Sequence, residues 1–299
     1  MQTGSVLKRR PEGRSPFKMA RILPVPIGFF LVLFSVNLVS ARSSASIIPF
    51  DQLAQPKQPV RMAVRLVTGG LGLVNRPVSG ERIEFLLKDR SLGQTLSGGD
   101  GMAVKSFVPS KPGLYTVTVR LVENPRYEAG PVELSIACRN ASTPILLVAV
   151  SSVRIPGEPS PAPFSPTPPS DAMPEAVKVL SRLSKPYQLL YVETGDEALI
   201  TEAKDWLTHQ GFPPAPLAAW PMPDDAERRM ERFVERLQEV RDAGWRKISA
   251  GITRSVAEAE ALIRLKIKAV LMAEEDEEDD RPAGAKKVTD WKAVPAAFQ

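Results

Sequence analysis

One cysteine and one histidine in 299 residues exclude whole classes of chemistry at the outset. Cys138 has no second cysteine to pair with, so an internal disulfide framework is ruled out and core burial has to hold the chain together. With a single Cys and a single His, a Cys/His zinc site within one chain lacks its ligands, and a histidine-based triad could use only His209. Broad positive charge is missing too. The net charge is +5, but Lys8, Arg9, Arg10, Arg14, Lys18 and Arg21 set against Glu12 carry all of it, and the rest of the chain is neutral. A neutral body has no electrostatic footprint for DNA or RNA, so nucleic acid is not expected as a partner. Only one apolar run, Ile22–Val39, approaches the length that concerns a membrane.

That run follows the basic residues and ends in Val39-Ser40-Ala41, small residues at cleavage-type positions, which is the layout of an export signal. Counted from Met19 the segment has the ordinary length of a signal peptide. The alternative is an uncleaved anchor, weakened by Pro24, Pro26 and Asn37 and barely long enough for about 30 Å of hydrocarbon. Either way residues 1–41 are an address, and the body is expected at the periplasm, cell surface or exterior. Lack of disulfides does not oppose this, since a domain with an adequate core does not need them. Residues 42–59 read as a linker.

Between 60 and 140 the pattern has period two. Met62, Val64 and Leu66 alternate with Arg61, Ala63 and Arg65. Ile83, Phe85 and Leu87 share one face, as do Tyr115, Val117, Val119 and Leu121. Further runs at Met102–Val108 and Val132–Cys138, with Gly/Pro-rich turns between, predict short antiparallel strands in a β-sandwich. Pro112-Gly113-Leu114-Tyr115-Thr116-Val117 resembles the turn-into-strand signature of bacterial immunoglobulin-like domains. The resemblance implies that the Tyr115 ring covers one end of the sandwich while its hydroxyl bonds to backbone. Cys138 reads as a buried strand residue. Asn140-Ala141-Ser142 matches a glycosylation acceptor, a pattern too short to carry weight.

From 141 to 299 the period changes. Ile145–Val150 is a continuous apolar run, as in a strand buried on both faces. Helices are predicted over 174–185, 197–210, 224–243 and 255–265, alternating with strands at 187–192, 247–252 and 269–273. That alternation predicts an α/β Rossmann-like sheet. The Pro-rich run 154–174 and the acidic run 274–280 read as extended or solvated segments; the latter has neither EF-hand spacing nor a turn glycine for calcium.

The order and wording of this half are similar to the haloacid-dehalogenase-like superfamily, in particular its lipin-like phosphatidate phosphatase branch. The residues that carry the resemblance are Tyr187–Thr194, Trp206–Pro213 with Ala215-Pro216-Leu217, and Ala250-Gly251-Ile252 followed by Glu258–Ala261. The resemblance implies an Asp nucleophile at the end of the first strand, a second Asp two residues on as acid, carboxylates for Mg²⁺, and a Ser/Thr and a Lys for the phosphoryl oxygens. On this alignment the nucleophile position is Ala149 and the acid position Ser151. Ala149 has no nucleophilic atom, so covalent catalysis by this route is excluded. Thr194, Lys247 and Glu258 are left as a vestigial anion pocket, with surface roles for Lys247 and Glu258 as the plain alternative. Thr253 and Arg254 stand where Gly and a metal-side Asp or Asn are usual, and a cation there argues against Mg²⁺. The Pro-rich run falls where active relatives carry a loop and flap.

The leading reading is therefore an exported binding protein without catalysis, metal or cofactor, whose partner is an unidentified protein or envelope ligand. Membrane contact is expected only through an uncleaved N-terminal segment. The alternatives are a hydrolase with a relocated nucleophile, for which Asp171 is the best substitute, and a structural adhesion protein in which only the sandwich matters. His209, before Gly211, reads as a helix C-terminal residue.

Overall fold

The structure is a computed structural model and describes residues 42–69, 75–155, 171–273 and 281–298. The export segment, Pro-rich residues 156–170 and acidic residues 274–280 lie outside the described residues. Two mainly antiparallel sheets form the first half. One joins β1 (Ser43–Phe50), β3 (Val60–Thr68) and β7 (Met102–Phe107), with the short β4 (Arg76–Pro77) and β9 (Tyr127–Glu128). The other runs β2-β10-β8-β5-β6, built from β2 (Gln52–Ala54), β10 (Val132–Cys138), β8 (Gly113–Leu121), β5 (Arg82–Leu87) and β6 (Arg90–Leu96). The expected alternation sets the packing: Met62, Val64, Leu66, Ile83, Phe85, Val117 and Val119 face one another in a shared core.

The first strand changes sheets at Asp51. β1 pairs antiparallel with β3, and β2 then pairs parallel with β10. With the hairpin β5–β6 and the neighbours β8 and β10, this strand order makes the sandwich immunoglobulin-like. Tyr115 is the third residue of β8, and its hydroxyl donates to the Lys111 carbonyl at 2.8 Å and accepts from the Lys111 N–H at 3.2 Å. Its ring meets Phe107 edge to face at 5.5 Å. This is the corner the turn sequence implied. Cys138 is fully buried at the end of β10, and burial pushes its thiol pKa up.

Most of the stretch read as a linker, 42–59, is instead β1 and β2, with a turn after Ala54. Its sequence hides this because β1 is buried on both sides. Ala45 and Ile47 enter the sandwich core, whereas Ile48 packs into the core of the second half. No alternation of polar and apolar residues remains to mark a strand.

The second half is a six-stranded sheet in the order β13-β12-β11-β14-β15-β16, with every neighbouring pair parallel. Its strands are β11 (Ile145–Ala149), β12 (Gln188–Glu193), β13 (Leu217–Ala219), β14 (Ile248–Thr253), β15 (Lys268–Met272) and β16 (Lys286–Val288). Leu147 is paired with Leu190 on one side and Gly251 on the other, so the apolar run is the central strand, as expected. Leu146 and Val148 face α2 (Ala176–Leu183) and α3 (Ile200–His209). Ile145 and Leu147 face α4 (Ala226–Asp242) and α5 (Val256–Arg264). This is the doubly wound order, with its direction of winding reversing between β11 and β14.

The two modules belong to one compact unit, Ala41–Gln299. Ile48 and Val67 of the sandwich sit in the same core cluster as α2 and α3. Asp51, at the point where the first strand changes sheets, closes the seam. Its carboxylate accepts from Lys204 Nζ at 2.7 and 2.9 Å, from the Ser135 N–H at 2.6 Å and from the Leu217 N–H at 3.1 Å. Arg65 and Glu197 form a second ion pair across the seam at 2.6 Å.

Candidate functional site

In a doubly wound sheet the ligand crevice opens at the carboxyl ends of the strands where the winding reverses, here β11 and β14. Ala149 ends β11 and is buried, level with Val192 of β12. One helical turn, α1 (Val150–Val153), follows directly. Ser151 on this turn is exposed, whereas Ser152 is buried and its hydroxyl donates to the Ala149 carbonyl at 2.6 Å. The chain then leaves through Arg154, which bridges antiparallel to Ala172, with the Ile155 N–H donating to the Asp171 carbonyl at 2.9 Å. The described ends of the Pro-rich segment are thus held side by side, just beyond the end of β11.

Thr194 follows β12 at the same edge, half-buried, with its carbonyl accepting from the Met222 N–H at 3.1 Å. Lys247 does not join it. Its carbonyl accepts from the Ile145 N–H at 2.9 Å, which places Lys247 at the start of β11, the opposite end of the sheet. Its side chain is exposed there. The pocket drawn from Thr194, Lys247 and Glu258 is therefore not assembled. The sequence alignment placed Lys247 correctly beside a strand but at its amino end, and a five-residue strand spans about 3.3 Å per residue.

Glu258 is 1 % exposed, so the surface reading of it is also corrected. One carboxylate oxygen accepts from the Thr253 hydroxyl at 2.5 Å and the other from Arg229 Nη1 at 2.9 Å. The Ser255 N–H donates to Thr253 Oγ1 at 3.0 Å, and Ser255 Oγ accepts from the Glu258 N–H at 3.4 Å. Ser255-Val256-Ala257-Glu258 is thus a capping box whose return bond runs through Thr253. The sequence reading of Glu258 as a pocket or surface residue missed this role, and the S-x-x-E spacing ahead of an apolar helix is the signal that could have found it.

Burial is the largest influence on Glu258 and raises its pKa above 4.5. Thr253 and Arg229 pull it down, and the neighbouring Glu193 carboxylate adds repulsion. The folded protein therefore keeps a proton on Glu258 where the unfolded chain has released it. Relative to Glu258→Gln, which cannot titrate, the stability of the native chain should fall as pH rises from about 4.5 through the raised value. Urea midpoints of both proteins across that range check this. A native advantage that grows with pH would mean that Arg229 controls the carboxyl instead.

Arg254 is half-buried at the end of β14, with Nη2 donating to Met173 Sδ at 3.3 Å. Among the described residues no three His, Cys, Asp or Glu side chains come together as a metal site, and no helix is long and apolar enough to cross a membrane. His209 is exposed at the end of α3, and Asp171 is exposed beside the Arg154–Ala172 bridge.

No protein-family model and no curated protein matches the chain. Among solved structures it is similar to a C-terminal fragment of intimin, at 17 % identity over 31 % of this chain and 31 % of that one, with a TM-score of 0.23. It is also similar to the CARDB domain of a Pyrococcus furiosus protein, at 10 % identity over 34 % of this chain and 97 % of that one, with a TM-score of 0.23. Fibronectin(III)-like modules of Clostridium thermocellum CbhA align at 9 % identity over 33 % and 48 % of the two chains, with a TM-score of 0.24. The chain spans under a third of the intimin fragment's length. The strand order described above, rather than these distant likenesses, makes the sandwich immunoglobulin-like.

Proposed function

We propose that this chain is an exported binding protein in which an immunoglobulin-like sandwich is fused to a phosphatase-like α/β layer that has lost its reaction. The observation that carries the reading is Ala149. It stands at the carboxyl end of the central strand, at the reversal of winding, where the resemblance to haloacid-dehalogenase-like phosphatases calls for the Asp nucleophile. The sheet order supports the resemblance. So do the single helical turn after β11 and the Arg154–Ala172 bridge, which lie where those enzymes carry their loop and flap. Ser151 offers no carboxyl proton, and Glu258 is engaged by Arg229 and Thr253 in capping α5. Export rests on the basic flank and the apolar run ahead of Ala41.

The purified chain should release no phosphate from aryl phosphates or phosphatidate above a buffer control in the presence of Mg²⁺. Loss of the acid alone would leave slow turnover, since general acid catalysis contributes roughly 10²–10⁴-fold. Loss of the nucleophile leaves no aspartyl intermediate. Ala149→Asp alone should not restore activity, because the acid and metal positions stay unfilled. Mg²⁺-dependent turnover abolished by Thr194→Ala would overturn this reading. Turnover lost in Asp171→Asn would establish the relocated-nucleophile hydrolase.

A further inference from the structure

Asn140-Ala141-Ser142 matches the acceptor pattern for N-linked glycosylation, and the sequence offers that pattern once. The other asparagines, Asn37, Asn75 and Asn124, are followed two residues on by Val39, Pro77 and Arg126, none of which carries the required hydroxyl. Three residues match by chance too often to count alone. The structure adds the context that the pattern needs, a surface turn in a chain read as exported. β10 ends at Cys138 and β11 begins at Ile145, so the pattern falls on the link between the sandwich and the α/β layer.

Asn140, Ala141 and Ser142 are all exposed, whereas Cys138 and Ile145 on either side are fully buried. The Asn140 carbonyl accepts from the Thr143 N–H at 2.9 Å, which closes a turn with Ala141 and Ser142 at its tip. Asparagine in a turn commonly spends its side chain on nearby backbone. Here, among the described residues, no hydrogen bond engages the Asn140 amide or the Ser142 hydroxyl. Both ends of the link are pinned. The Arg139 N–H donates to the Ala54 carbonyl and the Ile145 N–H to the Lys247 carbonyl, each at 2.9 Å. A transferase can therefore reach the amide and the hydroxyl without opening either module.

We infer that Asn140 is a modification site that carries an N-linked oligosaccharide. The transfer forms a bond from Asn140 Nδ2 to the anomeric carbon of a sugar carried on a polyprenyl pyrophosphate. The bond from that carbon to the pyrophosphate oxygen breaks, and its electron pair leaves with the polyprenyl pyrophosphate. One amide proton passes to a base of the transferase, and Ser142 supplies the hydroxyl by which the acceptor is selected. The product is a bulky, solubilising group on the exposed turn between the modules. The inference rests on the proposed export, since the acceptor pattern is used in secreted chains.

Mass spectrometry of the chain purified from its own cells tests it. Trypsin releases residues 140–154 as one peptide, because Arg139 and Arg154 bound that stretch with no Lys or Arg between them. The peptide should carry hexose and N-acetylhexosamine increments, which fragmentation places on Asn140. Ser142→Ala made in the same cells should lose the whole increment, and Ser142→Thr, which keeps the hydroxyl, should retain it. Both substitutions lie on an exposed turn and should leave the urea midpoint unchanged, so a lost increment does not report a folding failure. Unmodified Asn140, or sugar on Asn140 that survives Ser142→Ala, would overturn the inference. The N-terminus of the same protein separates the two ways to fail. Unmodified Asn140 on a chain that starts near Arg42 refutes the glycan alone, whereas a full-length unmodified chain in the cytoplasm refutes export as well.

Discussion

Asp51→Ala should lower the folding free energy by about 3–5 kcal/mol, the usual cost of removing one partner from a buried ion pair. The Asp51 side chain is 2 % exposed and Lys204 18 % exposed, so neither is hydrated well enough to stand alone. The substitution strands Lys204, which keeps only the Glu133 carbonyl at 2.8 Å, and it leaves the Ser135 and Leu217 N–H groups without their acceptor. Ser135 lies in the sandwich and Leu217 in the edge strand β13, so one carboxylate ties together two sheets that share no ladder. The double variant Asp51→Leu/Lys204→Met should recover only part of the loss, because it removes both charges at once but still leaves the Ser135 and Leu217 N–H groups unpaired. Arg65→Ala supplies the control. Its pair with Glu197 is 35 % and 21 % exposed and its guanidinium lies 5.7 Å over the Phe50 ring, so the loss should be smaller than at Asp51, about 1–2 kcal/mol. Urea unfolding of the four proteins measures this, and an Asp51→Ala loss no larger than that of Arg65→Ala would refute the buried seam.

Trp291→Ala should cost a further large amount, about 3–5 kcal/mol, as expected for emptying a fully buried aromatic site. Trp291 opens a 3-10 helix, Trp291–Phe298, that follows the edge strand β16. It is 0 % exposed and packs in the same cluster as Leu180, Val148 and Ile252. Its indole N–H donates to the Ser152 carbonyl at 3.1 Å, which fixes the turn α1 directly after Ala149. Trp291→Phe keeps most of the apolar body and leaves only the Ser152 carbonyl unpaired, so its loss should be clearly smaller. The check is the shift of the urea midpoint at unchanged slope. A loss under about 1 kcal/mol for Trp291→Ala would mean that the C-terminal turn is an appendage rather than part of the core.

Where a segment buries one face, or is an apolar run long enough to be buried on both, the sequence shows it plainly. β3, β5 and β8 alternate because one side of each meets the sandwich core, and β11 reads as wholly apolar because helices cover both its faces. α2 to α5 carry clear apolar stripes. β1 escaped notice because its residues serve two cores at once, with Pro49 inside it. β13 and β16 are three residues each, too short for any period to emerge.

The candidate site divides the same way. That Ala149 cannot act as a nucleophile follows from the residue itself, wherever it lies. Local spacing also determined the corner at Tyr115 and the inward place of Cys138, because each depends on neighbours a few residues away; it carries the capping box around Glu258 too, which the pocket and surface readings of that residue passed over. What only the tertiary structure decided are relations between distant segments. Lys247 lies at the wrong end of the sheet for Thr194, because parallel register sets which ends meet. Asp51 finds Lys204 from 153 residues away. A cleft lined by Leu53, Trp220, Trp245 and Val240 exists because the corner at Phe50–Leu53 lies against the β13 edge and α4. Such contacts leave no periodic trace in the chain, since burial by a remote partner is a property of the assembled cores and not of any window of sequence.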